Sequence, residues 1–519
     1  MVVMKNFHLM MVLICSNLFS SEIVHHVNVI SGKLQLGFAD HTVNGGVPLS
    51  VCRTYNSAHN TRPGHPKWNF SEGWNFFSHT HIYVDEDRPG AKIMESNGSL
   101  MNYVYKKATG HILEMHPKEV PDQKSEVMNY RENPLNNRLH LDPKKRCAIL
   151  YLADGGKRTY KMTKPLAGKI GRFFGWKKGI GSEYVLEQEI SSSGHITKYE
   201  NKQESKTLVF SNPFSTIELR QIRDYPNFKV TASGSDKKMM HYSGRAINRR
   251  CHLTKIEQEG IPTAAVSYIE DDHTNKLWVK NIAISGKNVL TVSYSFPEVK
   301  KTMFSSSLKE NITADYKVQS LMMNGEKLCD FIYGSTVTIV RDCDGLETKY
   351  CHSKGALDKI LYADNSVETY VWEKGNLVEK TLHNSDGELV FSKTLAFDAF
   401  RNIIRETITG DQSYSKWYTY NDKHLCIEER EESGLLFQYE YLEGTDLITC
   451  KRTMDGNKVL LEQHTLYDKN NLIKETRSFD GFRESKMIYT RDPETGLVLE
   501  VDNGLQTIYY EYDDARQMI

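Results

Sequence analysis

The stretch Tyr467-Asp468-Lys469-Asn470-Asn471-Leu472-Ile473-Lys474-Glu475-Thr476 decides how this chain is read. An aromatic residue is followed by a short polar turn, an aliphatic residue and a strand-like run. The same order recurs along the last third of the chain. Aromatic anchors stand at Tyr350, Tyr370, Phe397, Tyr420, Tyr441, Tyr467, Tyr489 and Tyr512, and the aliphatic residues that follow are Leu357, Leu377, Ile403, Leu425, Leu447, Leu472 and Leu497. Most units then show a second turn signal: Asp386-Gly387, Gly410-Asp411, Ser433-Gly434, Asp455-Gly456, Asp480-Gly481 and Asn503-Gly504. Asp-Gly and Asn-Gly pairs suit the two central residues of a tight hairpin, where the backbone needs positive φ.

Between the turns the pattern has period two. Leu435, Phe437, Tyr439 and Tyr441 fall on one face, with Leu436, Gln438, Glu440 and Leu442 on the other. Alternation of this kind marks strands, and aromatic side chains suit a pleated surface. One hairpin cannot bury its apolar face alone, whereas successive units stacked side by side make a continuous sheet. The repeat also accounts for an oddity of composition: of 28 Tyr in 519 residues, 14 lie after Asp330.

Units of the form Tyr-Asp, turn, Leu resemble the YD repeats of bacterial Rhs proteins and animal teneurins. The best copies are Tyr467-Asp468 and the terminal Tyr512-Asp513, while Phe397-Asp398, Tyr420-Asn421 and Tyr370-Val371 depart from the pattern. A second resemblance lies at the other end. His26-Val27-Asn28-Val29-Ile30-Ser31-Gly32-Lys33, then Asp40, Gly46-Val47-Pro48-Leu49, Arg53-Thr54-Tyr55-Asn56-Ser57 and Gly73-Trp74 is similar to the segment that opens many Rhs chains. The expected fold is all-β, with repeated hairpins forming an open spiral sheet or a partial β-cage. Arg53 and Tyr55 are expected to be a sheet-packing pair. What the resemblance implies for function is a shell that encapsulates or presents a C-terminal toxin or effector.

The expected organisation is a signal peptide over 1–21, an Rhs-type N-terminal β segment over 22–93, a β-rich region with degenerate repeats over 94–331, and YD-type repeats over 332–519. Phe7 to Phe19 is almost wholly apolar and uncharged after Lys5, which suits a secretory signal and is too short to span a bilayer. A short buried element or a lipid-modified Cys15 are the alternatives. Export to the cell surface or medium is therefore expected, with no transmembrane segment. The remaining eight cysteines have no regular spacing, so at most one or two disulfides are expected. The 66 Lys and Arg balance 66 Asp and Glu, which argues against a generic nucleic-acid binder. The balance conceals a basic stretch, since Lys144 to Gly181 holds eleven Lys or Arg against Asp154 alone. A solvated insertion is the simpler reading of it, and an anionic partner surface the alternative.

Catalytic signatures are missing. There is no GxSxG nucleophile turn and no phosphate-cradling loop, since Gly155-Gly156-Lys157 lacks both flanks of that motif. Asp492-Pro493-Glu494-Thr495-Gly496-Leu497 resembles the segment that closes the Rhs shell before its self-cleavage site, but the residues after it continue as strand, so it is read as a turn within a repeat. His79-Thr80-His81, near His25, His26, His59 and His65, could bring imidazoles together, yet no carboxylate spacing supports a metal there. No catalytic, cofactor or metal residues are expected, and the protein is expected not to be an enzyme. Two rival readings remain. One is a surface adhesin that stacks outward aromatics such as Tyr418 on glycans; the other is a β-solenoid carbohydrate-active enzyme. The chain is expected to stop within a unit, uncapped, with its cargo encoded downstream.

Overall fold

The repeat turn forms because one side chain satisfies two backbone donors. Asp468 Oδ1 accepts from the N–H groups of Asn470 and Leu472 at 2.8 and 2.9 Å, while Asn471 takes a left-handed φ of 61°. Asp398 does the same for Phe400 and Asn402 around Arg401, and Asn421 for Lys423 and Leu425 around His424. An Asp or Asn at the first position thus replaces ladder partners that the turn removes. The aliphatic residue then drops into the interior, and Leu425 and Leu472 are both buried.

The anchors are explained by a second bond. The hydroxyls of Tyr420, Tyr441, Tyr467 and Tyr512 donate to the carbonyls of Ile403, Cys426, Ile448 and Val498 at 2.6–2.9 Å, each reaching back to the start of the preceding unit's strand. Each of the first three sits at a β-bulge, where two residues face one across the ladder. This corrects the register in three units. The bulge falls at His352, Trp372 and Arg491, two residues beyond the expected anchors Tyr350, Tyr370 and Tyr489. Trp372 Nε1 donates to Leu357 O, and Arg491 Nε to Ile473 O, in the manner of the tyrosines.

Replacing Asp468 with Ala leaves two turn amides without an acceptor and is expected to cost about 1–2 kcal/mol in chemical denaturation. Asp468→Asn, which keeps an acceptor oxygen, is expected to be close to neutral. Equal losses in both variants would refute the capping role. Acid should act on other turns that an Asp holds. Backbone amides and nearby hydroxyls hold the carboxyls of Asp364, Asp480 and Asp492 below the ordinary aspartate value of 3.8. Because the folded values are depressed, this stabilisation is present above pH 3.8 and is lost as pH falls below it. A melting temperature that fell only above neutral pH would contradict the sign.

The computed structural model describes residues 27–57, 73–76, 80–85, 90–94, 100–118, 130, 131, 133–163, 182–202, 206–247, 250–259, 261–271, 276–284, 288–295, 316–373, 375–410 and 413–519. The expected signal segment, most of the histidine cluster and the Gly/aromatic part of the basic stretch lie outside them. Among the described residues the fold is all-β: antiparallel hairpins and no α-helix. A small sheet of Gln35–Val43, Leu49–Asn56 and Trp74–Phe76 stands apart, and all other strands join one sheet in chain order.

That sheet begins as a ring. Eight strands from His81–Asp85 to Ser182–Ile190 pair in succession, and the last pairs back to the first, with Tyr184 opposite Ile82. Ile82, Ile93, Tyr103, Met115, Leu150, Tyr160 and Tyr184 fill its interior. The far end of the same strand pairs with Ile196–Lys202, so the sheet leaves the ring there and runs on to Thr507–Tyr509. The strand Gly90–Met94 spans the 93/94 boundary expected from sequence and Glu326–Tyr333 spans 331/332, without a break in pairing at either.

Candidate functional site: the repeat wall and its seam

The small sheet covers the first part of the wall. Val27, Leu34, Leu36, Val43, Val51, Tyr55, Trp74 and Phe76 form one core with wall residues from Leu208 to Val340. A bulge between Ala39 and His41 shifts the buried phase of the first strand, so that neighbouring Asp40 and His41 both reach the interface. Arg53 Nε meets the Asp40 carboxylate at 2.8 and 3.0 Å, and its guanidinium lies 4.0 Å from the Phe38 ring and 4.7 Å from that of Trp74. Tyr242 of the wall donates to Asp40 at 3.0 Å. Burial pushes the Asp40 carboxyl up, and Arg53 and Tyr242 pull it back. His41 Nε2 lies 3.1 Å from Asp236 of the wall, and the Val279 amide donates to the Tyr55 hydroxyl. The expected packing pair of Arg53 and Tyr55 is thus a polar latch within an apolar interface.

Beyond Val340 no second layer covers the wall among the described residues. Its strands show mainly half-buried side chains, with single buried positions such as Leu377, Leu395 and Leu425. One face interleaves rings with charges: Tyr418, Glu429, Phe437 and Thr453 follow one another across four strands, with Lys416 between Glu429 and Glu431 at 2.7 and 3.0 Å. Burial works against the Lys416 charge, but the two glutamates hold its pKa above the ordinary value. Tyr418 is half-buried, and burial with Glu406 and Glu429 nearby pushes its hydroxyl far up. The exposed rings on that strand are Trp417, on the opposite face, and Tyr414 at its start.

The late turns dock on the early chain. His424 stacks on Tyr130 with centroids 3.6 Å apart, Ser193 Oγ donates to Asp446, and Asn471 Nδ2 donates to Ser193 O. Gly46 N donates to Thr495 O at 2.8 Å. Arg516 Nη1 donates to Asn44 O, Phe214 O and Ser215 Oγ, and Lys237 pairs with Asp514. These contacts set the turns of the last units against the small sheet, loops of the ring and the start of the wall. The segment Asp492 to Leu497 is part of this seam: Asp492 Oδ1 accepts from Glu494 N and Thr495 N, capping a repeat turn as its sequence suggests.

Residues 24–103 match the family model described as "Domain of unknown function (DUF6531)". That is the segment holding the small sheet and the first strands of the ring. No curated protein matches the chain. Among solved structures it is similar to TcdB2-TccC3 without its hypervariable C-terminal region (9% identity, TM-score 0.35, covering 91% of this chain and 22% of that one). It is also similar to TcdB2-TccC3-Cdc42 (11%, TM-score 0.39, 90% and 26%) and to the Photorhabdus luminescens Tc holotoxin pore with the TccC3 D651A mutation (8%, TM-score 0.27, 91% and 29%). The chain spans about a quarter of the length of these structures.

Among the described residues, the positions weighed for chemistry are not brought together. Of the histidine cluster only His81 lies among the described residues, and it faces Glu183 at 3.4 Å beside the ring. Gly155-Gly156 forms a hairpin tip closed by Leu152 N to Gly156 O. In the basic stretch Arg158 pairs with Glu189 and Lys161 with Glu187 across neighbouring strands. The eight cysteines from Cys52 to Cys450 are free thiols. No helix among the described residues is long and apolar enough to cross a membrane. The seam is not legible in the sequence, because its partners are separated by 253 to 472 residues, as in Ser193–Asp446 and Asn44–Arg516.

Proposed function

We propose that the chain is a non-catalytic wall of an exported Rhs-type shell that encloses or presents a C-terminal toxin or effector. The observation that carries this reading is the seam. A single-layer sheet whose last units dock against its own beginning encloses space as it coils, and Asp446, Asn471, Gly496 and Arg516 hold that docking. The Rhs-like residues of the N-terminal segment and the YD-like turns, whose hydrogen bonding is described above, agree with it. The small sheet, latched through Arg53 and Asp40, would close one end of that space.

The test is protection. Co-expressed with the polypeptide encoded immediately downstream, the protein is expected to co-purify with it and to shield it from a protease that digests it when free. Digestion at the same rate with and without this chain would overturn the reading.

A further inference from the structure

The outermost part of the wall also holds a set of metal-ligand side chains that the shell reading leaves unused. Cys450 and His464 stand directly opposite one another on the paired strands Ile448–Asp455 and Lys458–Tyr467, and Glu462 lies two residues before His464 on the same face. Cys450 Sγ is 3.8 Å from Glu462 Oε1, His464 Nε2 is 3.2 Å from the same oxygen, and one ligand atom from each of the three lies within 4.8 Å of the others. A tetrahedral zinc ion with bonds of about 2.0–2.3 Å requires ligand atoms roughly 3.3–3.6 Å apart. The three donors already stand near that spacing, and small rotamer changes complete it.

We propose that Cys450, Glu462 and His464 bind one zinc ion, with solvent in the fourth position. A thiolate, an imidazole and a carboxylate suit zinc or cobalt and exclude calcium or magnesium, which take oxygen ligands. Thiolate and carboxylate together balance the dication. Arg452 supplies positive charge to the same carboxylate: its Nε donates to Glu462 Oε1 at 2.8 Å and its Nη1 to Glu440 at 2.6 Å. Glu440 therefore keeps Arg452 paired when the metal takes Glu462. The ion would clip the two strands of one hairpin, and His464, half-exposed, leaves the fourth position open to solvent. This inference does not depend on the shell reading.

The experiment is a cobalt titration of the full chain, followed by zinc displacement. A thiolate ligand adds a near-ultraviolet charge-transfer band, expected to saturate at one cobalt per chain and to vanish on adding zinc. Cys450→Ser is expected to abolish the band, and His464→Asn to weaken binding at least about tenfold. Far-ultraviolet circular dichroism confirms that both variants remain folded, and His464→Asn, on an exposed side chain, keeps the test valid if Cys450→Ser fails to fold. Absence of a band in the wild type, or a band unchanged in both variants, would overturn the proposal.

Discussion

Arg53→Ala is expected to destabilise the protein by about 3–5 kcal/mol and to release the small sheet from the wall. The Arg53 side chain is 2% exposed and the Asp40 side chain 7%, so removing the cation leaves a carboxylate in an apolar interface with, among the described residues, the Tyr242 hydroxyl as its side-chain partner. The loss has a second component, because the guanidinium packs against both the Phe38 and Trp74 rings. The double variant Asp40→Ala/Arg53→Ala removes both charges and is expected to lose less than Arg53→Ala alone, since no unpaired charge remains. Chemical denaturation gives the magnitude. Limited proteolysis should show early cleavage in residues 35–56 of the single variant. If the double variant is the less stable of the two, the ion pair is not what makes Arg53 costly to remove.

Gly46→Val is expected to open the seam at a cost of about 1–3 kcal/mol, the range for forcing bulk into a filled contact. A Cβ at this position would stand 2.4 Å from Leu472 Cδ1 and 3.1 Å from both Gly496 Cα and Gly496 O. Leu472 sits in the interior, 7% exposed, and has little room to retreat. Combining the change with Leu472→Ala relieves the side-chain clash but leaves the backbone approach to Gly496, so only partial rescue is expected. Hydrogen exchange should locate the effect, with faster exchange at residues 44–47, 468–472 and 492–497 and little change in the ring. Uniform destabilisation without local opening would show that Gly46 is not at a contact between distant parts of the wall.

The repeat was readable from sequence because its causes are local. Asp468 caps its own turn within four residues, Leu472 follows at a fixed offset, and alternation such as that of Phe437 and Tyr439 reports a pleated strand directly. The anchor register slipped in three units because a bulge shifts pairing without altering composition. Tyr370, Tyr350 and Tyr489 look like the anchor, whereas the bulge falls at Trp372, His352 and Arg491. Arg491 precedes Asp492 as the tyrosine anchors precede their capping Asp or Asn, but it carries no aromatic ring to mark it. Tyr418 illustrates the opposite limit: position on a strand says which face a ring takes, not how crowded that face is.

The ring, the latch and the seam were not readable, since each depends on partners far apart in the chain. Tyr184 meeting Ile82, or Tyr242 meeting Asp40, leaves no periodic trace. The set of Cys450, Glu462 and His464 was equally hidden, because two of its members share a strand while the third comes from across the ladder. The Asp-Gly signal does not reveal it either: a two-residue tip at Asp455-Gly456 would set Cys450 opposite Leu461, whereas the hairpin turns at Gly456-Asn457 and the bulge between Thr453 and Met454 brings Cys450 opposite His464.

That the wall coils back on its own beginning is tested most directly by zero-length carbodiimide coupling of the monomeric chain, followed by mass spectrometry. Lys237 Nζ lies 3.0 Å from Asp514 Oδ2, both side chains are largely exposed, and 277 residues separate them. The Lys107–Glu114 pair, 3.3 Å apart within one hairpin, is the internal control. The expected product is an amide between Lys237 and Asp514 within single chains, formed alongside the control. Recovery of the Lys107–Glu114 link with no Lys237–Asp514 link would contradict the coiled wall.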